Sequence, residues 1–182
     1  MKTEIEEIIE LPQEVSAAFS NSFLTVKGPK GELKKEFKSP KVALSAGQGK
    51  IKVSCARATK REKRMVYTFI SHIKNMVVGV QKPFVYKLKI CSGHFPMNVT
   101  VTNGKFQVKN FLGEKNPRVL NIKPGANIKI EGEIITIESP DKDIAGQVAS
   151  DIELLTRITD KDLRRFQDGI YITEKAGKRF EE

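Results

Sequence analysis

The residues of this chain with the greatest chemical reactivity are its two cysteines and two histidines. Cys91 and His94 are three positions apart on a predicted strand that leads into a turn, so a thiolate could lie beside an imidazole. No motif joins either histidine to a nucleophile and a carboxylate. We therefore interpret Cys91 as a buried apolar residue, and His72, which lies between Ile70 and Ile73 of a predicted helix, as structural. The sequence predicts no catalytic residue and no small-molecule substrate.

Three other kinds of site lack their usual motifs. The stretch "CSGH", residues 91–94, offers at most two metal ligands, which is too few for a metal site. The stretch "GPKGELKK", residues 28–35, lacks the Gly-Lys-Ser/Thr ending of a nucleotide-phosphate loop. The aromatic motif of sheet-type readers of single-stranded RNA is also missing. We predict no metal and no cofactor.

The charge of the chain points to a polyanionic partner. Its 182 residues include 32 Lys and Arg against 22 Asp and Glu, a net charge of +10. Residues 1–82 hold 16 basic and 8 acidic side chains, and residues 83–182 hold 16 and 14. With no tryptophan and three tyrosines, recognition of phosphate and shape is the remaining mode for a nucleic acid. A single basic cluster is more often a solvated face than a binding site.

The cysteines and the apolar segments indicate the compartment. The two cysteines form no CxxC pair, no apolar segment follows Met1 as in a signal peptide, and no apolar run approaches the length of a membrane span. We therefore expect a soluble protein in the reducing cytoplasm, without a membrane partner.

The chain contains two copies of one unit. Asn21 aligns with Asn103 at an offset of 82 in the numbering, and the same offset aligns Val26-Lys27 with Val108-Lys109, Gly31-Glu32 with Gly113-Glu114, Val53 with Ile135, and Cys55 with Ile137. Short alternating segments predict strands, and Asn-Ser, Asn-Gly and Gly-Pro pairs predict the turns between them. These segments are "FLTVK", "KIKVSC", "NVTVT", "KFQVK" and "EIITIE".

Each copy ends in a predicted amphipathic helix. Met65, Phe69, Ile73 and Met76 recur at helical spacing, and Ile144, Val148, Ile152 and Leu155 repeat that spacing in the second copy at an offset of 79. Thr59 with Glu62 fits a capping box, and Ser139-Pro140 fits an N-cap followed by proline. The predicted fold class is α+β: two tandem copies of a small antiparallel sheet packed against one helix, residues 1–82 and 83–182, plus a basic C-terminal extension.

Two segments outside the regular pattern carry charge together with aromatic or apolar residues. In "NFLGEKNPR", residues 110–118, Phe111 and Leu112 are expected to fold the loop onto itself or the sheet, which leaves Lys115 and Arg118 outward for phosphate, with Glu114 paired to one of them. Alternatively, both apolar residues cover the end of the domain core. After the second helix, we expect a short basic helix or turn ending at Gly169 and then an extended arm. A frayed tail is the alternative for that segment.

The sequence resembles a known family in four stretches: "YKLKICSGHFPMNV", "FLGEKNPR", "DKDIAGQVASDI" and "DLRRFQDGIYI". "YKLKICSGHFPMNV", "FLGEKNPR" and "DLRRFQDGIYI" together are similar to the archaeal and eukaryotic branch of the ribosomal large-subunit protein L-six family, called L-nine in eukaryotes. "DKDIAGQVASDI" also resembles the bacterial members of that family. The resemblance covers nearly the whole chain. It implies two tandem α+β domains, a structural role in the cytoplasmic large ribosomal subunit, neighbouring large-subunit ribosomal proteins as partners, and no catalysis.

The resemblance also implies where RNA is bound. In this family the second domain and the C-terminal segment dock on large-subunit ribosomal RNA near the factor-binding region, beside the sarcin-ricin loop and the stalk base. The matching positions are His94, Pro96, Lys142, Gln147, Arg165, Phe166, Asp168, Gly169 and Tyr171. The residues themselves add predicted phosphate contacts at Lys115, Arg118, Lys161, Arg164 and Lys175. The competing hypothesis is a basic nucleic-acid-binding scaffold outside the ribosome.

Overall fold

The computed structural model describes residues 3–47 and 49–179, with side chains from residue 4 onward. The chain divides into two compact units, Met1–Pro83 and Phe84–Glu182. The first unit contains β1 (Thr3–Glu10), β2 (Ser16–Ser20), β3 (Phe23–Gly28), β4 (Gly31–Glu36), β5 (Ala43–Gly47), β6 (Lys50–Ala58) and α1 (Lys60–Gln81). The second contains β7 (Phe84–Cys91), β8 (Asn98–Thr102), β9 (Lys105–Lys109), a 3-10 turn (Phe111–Gly113), β10 (Arg118–Asn121), β11 (Asn127–Glu131), β12 (Ile134–Ser139), α2 (Lys142–Leu155), β13 (Gly169–Lys175) and β14 (Lys178–Arg179).

The first unit consists of two antiparallel sheets and one helix. The strand orders are β1-β6-β5 and β2-β3-β4. Leu24 and Val26 of β3 and Ile51 and Val53 of β6 are fully buried, because a strand presents every second side chain to the same face. The buried face of α1 completes this core with Val66, Phe69, Ile70, Ile73, Met76, Val77 and Val80.

The second unit repeats this arrangement with a larger sheet. Its strand orders are β11-β12-β7-β13-β14 and β10-β9-β8. Leu88 of β7, Ile137 of β12 and Ile170 of β13 are fully buried in its core. The buried face of α2 adds Ala145, Val148, Ala149 and Ile152. The predicted α+β class with one helix per copy is confirmed, although the described part of each copy holds two sheets and not one.

The strand pairing shows where the two copies keep the predicted register. Ser16 of β2 pairs with Lys27, and Asn98 of β8 pairs with Lys109, which confirms the offset of 82 for this hairpin. The later hairpin follows an offset of 84, because Leu44 pairs with Val53 and Ile128 pairs with Ile137. Val53 therefore corresponds to Ile137, and the predicted match with Ile135 was wrong. A shift of two residues in the alignment keeps the same face of the strand buried, so the alternating sequence pattern does not reveal it.

The turn after the first hairpin also differs between the copies. Gly31 begins β4, whereas Gly113 ends the 3-10 turn and β10 begins only at Arg118. Phe23 pairs with Glu36 and Lys105 pairs with Asn121, so β10 lies three positions later than the offset of 82 requires. The predicted equivalence of the two Gly-Glu pairs was therefore wrong, because the second copy contains an added turn.

The helices confirm the offset of 79. Val66, Phe69, Ile70 and Ile73 of α1 are buried, as are Ala145, Val148, Ala149 and Ile152 of α2, at the same relative positions. Met65 is 38% exposed and its neighbour Val66 is buried, so the predicted apolar face was wrong by one position there. The capping box of Thr59 and Glu62 is confirmed. The N-cap of α2 is Asp141, whose side chain accepts from the Asp143 amide, and not Ser139.

The C-terminal segment is a strand of the second sheet and not an extended arm. Gly169 pairs with Cys91 and Ile170 pairs with Ile90, so β13 lies along β7 on the side opposite β12. In the first unit, β1 corresponds to β7, and within the described residues it pairs only with β6.

Neither helix in the described part of the chain combines the length and apolarity needed to cross a bilayer.

Candidate nucleic-acid interface

A buried aspartate joins the turn after β7 to the segment before β13. Asp168 has 2% of its surface exposed. Its Oδ1 accepts hydrogen bonds from the backbone amides of Gly93, at 2.6 Å, and His94, at 2.9 Å. Its Oδ2 lies 2.5 Å from Nδ1 of the His94 ring. This constellation, which we call the Asp168 clasp, consists of Gly93, His94 and Asp168, and it fixes a turn to a segment that is distant in the sequence.

The hydrogen bonds of the clasp keep Asp168 ionised. Burial by itself would raise the pKa of the carboxyl, but hydrogen bonds from the His94 amide, the His94 ring and the Gly93 amide outweigh burial and lower that pKa below its ordinary value. An ionised carboxylate accepts only, so His94 Nδ1 carries a hydrogen and donates it. His94 Nε2 is then the ring nitrogen available to another partner.

The clasp holds an exposed basic and aromatic surface. The His94 ring stacks on Phe166, with centroids 4.7 Å apart and ring planes 22° apart. Lys161 Nζ lies 4.9 Å from the centroid of the Phe166 ring. Arg165 borders the same surface and lines a cleft of about 630 Å³ together with Lys89 and the clasp residues. Cations beside a histidine and a stacked ring can bind a phosphate backbone and an unstacked base.

The turn between α2 and β13 presents the arginines. The backbone carbonyl of Asp162 accepts from the amides of Arg165, at 3.0 Å, and Phe166, at 2.9 Å, so the turn is closed by its own backbone. Arg164 forms an ion pair with the Asp162 carboxylate at 2.9 Å. The hydrogen bond from Arg164 lowers the pKa of the Asp162 carboxyl. Arg164 must exchange this exposed partner before it can bind a phosphate.

The start of β13 is fixed to the end of α2. The Ile170 amide donates to Thr156 Oγ1 at 2.9 Å, and the Ile172 amide donates to Glu153 Oε1 at 3.1 Å. A Cβ at Gly169 would lie 3.1 Å from the Tyr171 ring, so a larger residue would displace that ring. Tyr171 donates its hydroxyl to the carbonyl of Gln167 at 3.2 Å. The C-terminal segment is therefore ordered by contacts on both of its sides.

The 110–118 loop buries one aromatic residue in the domain core. Phe111 is 1% exposed, and Leu112 is half-buried against the same core. The turn needs left-handed backbone at three positions, Asn110, Leu112 and Gly113. The side-chain Nδ2 of Asn110 also donates to the carbonyl of Pro96 at 3.0 Å. The alternative that these apolar residues cover the end of the core is confirmed.

Arg118 stabilises the 110–118 loop through contacts within the protein. Its guanidinium lies 4.3 Å from the centroid of the Phe111 ring and donates to both carboxylate oxygens of Glu114, at 2.9 and 2.5 Å. It also donates to the carbonyl of Leu155, the last residue of α2, at 2.7 Å. The prediction that Arg118 points outward was therefore wrong, whereas the predicted pairing of Glu114 with one of the two basic residues is confirmed. Lys115 of the same loop is exposed, as predicted.

Replacing Arg118 with lysine should destabilise the second unit. Lysine cannot make the paired contacts to Glu114 and stack on Phe111 while it also donates to Leu155. We expect the free energy of unfolding to fall by about 2 kcal/mol, measured by urea denaturation. Lys115→Ala is the control and should leave stability within about 0.5 kcal/mol of wild type. Equal stability of Arg118→Lys and wild type would contradict the bracing role of the guanidinium.

Comparison with known proteins identifies the family. The model of the family Ribosomal protein L6 matches residues 11–83 and 95–169. The chain belongs to the ribosomal protein L6 family. It is 47% identical over 178 residues to the large ribosomal subunit protein uL6 of Nanoarchaeum equitans, covering 93% of each chain. It is 40% identical over 176 residues to the protein of the same name from Methanosarcina mazei, covering 97% of this chain and all of the relative.

The two matched segments of the L6 family correspond to the two copies of the unit. The first starts after β1 and the second after β7, so the model covers the hairpins and the helix of each copy. The second match ends at Gly169, the first residue of β13. These findings confirm the resemblance and the tandem duplication that the sequence predicts.

Only some of the other residues predicted to bind RNA lie close together. His94, Arg165, Phe166, Gly169 and Tyr171 come together around the Asp168 clasp. Elsewhere in the unit, the described contacts are those of Lys142, 5.7 Å from the Phe84 ring, and of Gln147, which donates to Asp151 at 2.7 Å. Pro96 is exposed beside the clasp turn, and Lys175 is exposed near the end of β13.

The supporting residues were not predicted from the sequence. Gly93, Glu153 and Thr156 hold the site through backbone and side-chain hydrogen bonds, and their sequence positions show no motif that marks this role. Cys91 is half-buried, so its prediction as a buried residue was wrong. In the described part of the chain, no hydrogen bond joins Cys91 to His94, and no group of three or more His, Cys, Asp or Glu is placed to hold a metal.

Proposed function

We propose that this protein is a structural, non-enzymatic constituent of the large ribosomal subunit in the cytoplasm, where it binds large-subunit ribosomal RNA and neighbouring ribosomal proteins. The observation that carries the proposal is the match of both copies to the ribosomal protein L6 family, together with relatives named large ribosomal subunit protein uL6 that align over nearly their whole length. The net charge of +10 is compatible with an RNA partner.

The RNA-binding role is assigned to the second unit. We divide the chain functionally into a first α+β repeat, residues 1–82, and a second repeat, residues 83–182, whose C-terminal extension binds RNA. The Asp168 clasp supports this division, because it holds the His94 ring, which stacks on Phe166, beside the cleft that Arg165 lines. A preformed surface loses less conformational entropy on binding than a flexible tail does.

The position on the subunit follows from the resemblance in sequence. The turn that contains His94 and Pro96 and the segment that contains Arg165 and Tyr171 match family stretches that dock beside the sarcin-ricin loop and the base of the stalk, near the factor-binding region. The structure supports the pairing of these two stretches, because Asp168 connects them. Lys161 and Arg164 would then contact phosphates that flank the docked turn.

Ribosome fractionation tests the proposal. The tagged protein should sediment with large subunits at low salt and leave them only at high salt, because phosphate contacts weaken as salt rises. Chemical footprinting of the subunit with and without the protein should show protection around the sarcin-ricin loop and the stalk base. Sedimentation away from large subunits, with equal binding to unrelated nucleic acids, would instead support a scaffold outside the ribosome.

A further inference from the structure

One exposed face of α1 in the first unit carries basic and hydroxyl side chains. Lys60, Lys63, Arg64, Tyr67, Thr68 and Ser71 follow the spacing that places residues along one side of a helix, and we call this set the basic stripe. All of its members are exposed, while Val66, Ile70 and Ile73 are buried in the core. The stripe runs for about 16 Å along the helix. It borders an open cleft of about 720 Å³.

The single acidic residue of α1 is turned away from this stripe. Glu62 accepts from the Thr59 amide at 2.9 Å and pairs with Lys41 at 2.9 Å. Hydrogen bonds from the Thr59 side chain and from Lys41 lower the pKa of Glu62 to about 2. Within the described residues, no carboxylate forms an ion pair with Lys60, Lys63 or Arg64. The stripe therefore has a positive charge that its own unit does not neutralise.

The location of these charges is unfavourable for the isolated helix. Lys60, Lys63 and Arg64 lie in the first turns of α1, where the helix macrodipole is positive, and cations there repel the exposed amide hydrogens. The same side chains attract an anion, because their charges lie together on one exposed face. A charge pattern that opposes helix stability is expected where a ligand, and not the fold, requires it.

The other side chains of the stripe suit ribonucleotides. Thr68 and Ser71 donate their hydroxyl hydrogens to the carbonyls of Arg64 and Tyr67, each at 2.9 Å. Their oxygen lone pairs are thus available as acceptors, which a ribose 2′-hydroxyl can use and a deoxyribose cannot. The Tyr67 ring is 44% exposed, with Lys63 Nζ 5.9 Å from its centroid, so it offers a face on which an unstacked base can stack.

The second copy does not repeat the stripe. When the helices are aligned by their buried faces, Lys63 corresponds to Lys142, but Arg64 corresponds to Asp143 and Tyr67 to Gly146. Both helices bury the same face, so the fold itself does not require a basic exposed face. The stripe therefore belongs to the first copy alone.

We propose that the basic stripe of α1 is a second RNA-binding surface, which binds an irregular or single-stranded RNA segment through its phosphates and 2′-hydroxyls. This goes beyond the proposed function, which assigns RNA binding to the second unit. The charge of the stripe, its hydroxyl acceptors and its exposed ring all favour RNA over an acidic protein as the occupant.

The test is the salt dependence of binding to large-subunit ribosomal RNA by the full chain. The variant Lys60→Gln/Lys63→Gln/Arg64→Gln should reduce the slope of log affinity against log salt by about two to three units, since each lost phosphate contact removes about 0.7 to 0.9. The variant should melt at the same temperature as wild type or higher, because the removed charges oppose the helix dipole. The binding loss is then not a folding defect.

A charge-matched variant controls for net charge. Lys27→Gln/Lys50→Gln/Lys52→Gln removes the same number of charges from lysines that pair with Glu32, Glu10 and Glu6. It should change the slope by less than about one unit. An unchanged slope in the stripe variant, or an equal loss in both variants, would overturn the proposal, and an unchanged slope would leave a protein as the alternative occupant.

Preference for RNA over DNA of the same sequence provides a second readout. Thr68→Ala/Ser71→Ala should reduce that preference several-fold without a change of slope, and an unaltered preference would contradict the role of the hydroxyls. The variant Arg164→Ala/Arg165→Ala separates the two surfaces. If the double arginine variant keeps the wild-type slope while the stripe variant does not, the result contradicts the RNA site proposed in the second unit and supports the basic stripe.

Discussion

Replacing Asp168 with alanine should destabilise the second unit and weaken RNA binding together. The substitution leaves the Gly93 and His94 amides and the His94 ring without their acceptor. We expect the free energy of unfolding to fall by about 3 kcal/mol, because three hydrogen bonds to a buried charge are lost. Affinity for large-subunit ribosomal RNA should fall about tenfold, which is about 1.4 kcal/mol of binding free energy. Urea denaturation and a binding titration measure the two quantities.

The direction of the change in RNA affinity distinguishes a displaced binding surface from a change in net charge. Removing a carboxylate makes the protein more positive, so electrostatics alone would strengthen binding to RNA. Under conditions where the variant is still fully folded, a weaker affinity then reports the loosened turn around His94 and its partner Phe166. The control is Asp160→Ala, which removes the same charge at an exposed position and should leave stability nearly unchanged. Stronger RNA binding by Asp168→Ala would contradict the clasp as a positioning device.

The lowered pKa of Asp168 also predicts an acid response. A carboxyl whose pKa is lower in the folded state contributes stability that is complete above its unfolded pKa and is lost as pH falls through the folded pKa. The clasp should therefore be intact at neutral pH and should release below about pH 4. The stability difference between wild type and Asp168→Ala should shrink over that acidic range. A constant difference would show that the carboxylate does not contribute in its ionised form.

Local patterns in the sequence predicted the repeated elements well. Hairpin turns with Asn-Ser and Asn-Gly, alternation within β3 and β9, and the helical spacing of Phe69 and Ile73 each arise from residues close together in the chain. Errors appeared where period-two alternation hides a shift of two residues, as at Val53. The added turn at Phe111 was also beyond the pattern, because its left-handed residue Leu112 has no sequence mark.

Most members of the candidate site were predicted, but the contacts between them were not. Charged and aromatic residues such as Arg165 and Phe166 stand out in the sequence, but the contacts that position them are non-local. Asp168 meets Gly93 at a separation of 75 residues, and Arg118 meets Leu155 at a separation of 37. A guanidinium bound within the protein and one free for phosphate look alike in a sequence. The position of Arg118 in the fold decides between them.

Replacing Arg164 and Arg165 with alanine should flatten the salt dependence of RNA binding. Each arginine that contacts a phosphate contributes about 0.7 to 0.9 to the slope of log affinity against log salt. Arg164 is already paired with Asp162, so its release from that pair offsets part of its gain on binding. We therefore expect the slope to fall by between about one and two units, with affinity reduced alike for different RNA sequences. A salt series with a large-subunit ribosomal RNA fragment measures both.

Two further variants test whether the loss of salt dependence comes from phosphate contacts of the C-terminal segment. Lys105→Ala/Lys109→Ala removes the same charge from exposed positions of β9 and should change the slope by less than about half a unit. Tyr171→Ala removes no charge but takes away the ring over Gly169 and the hydrogen bond to Gln167, so affinity should fall while the slope stays near wild type. If the double arginine variant keeps both slope and affinity, the C-terminal segment does not anchor RNA. The basic stripe of α1 would then be the main RNA contact.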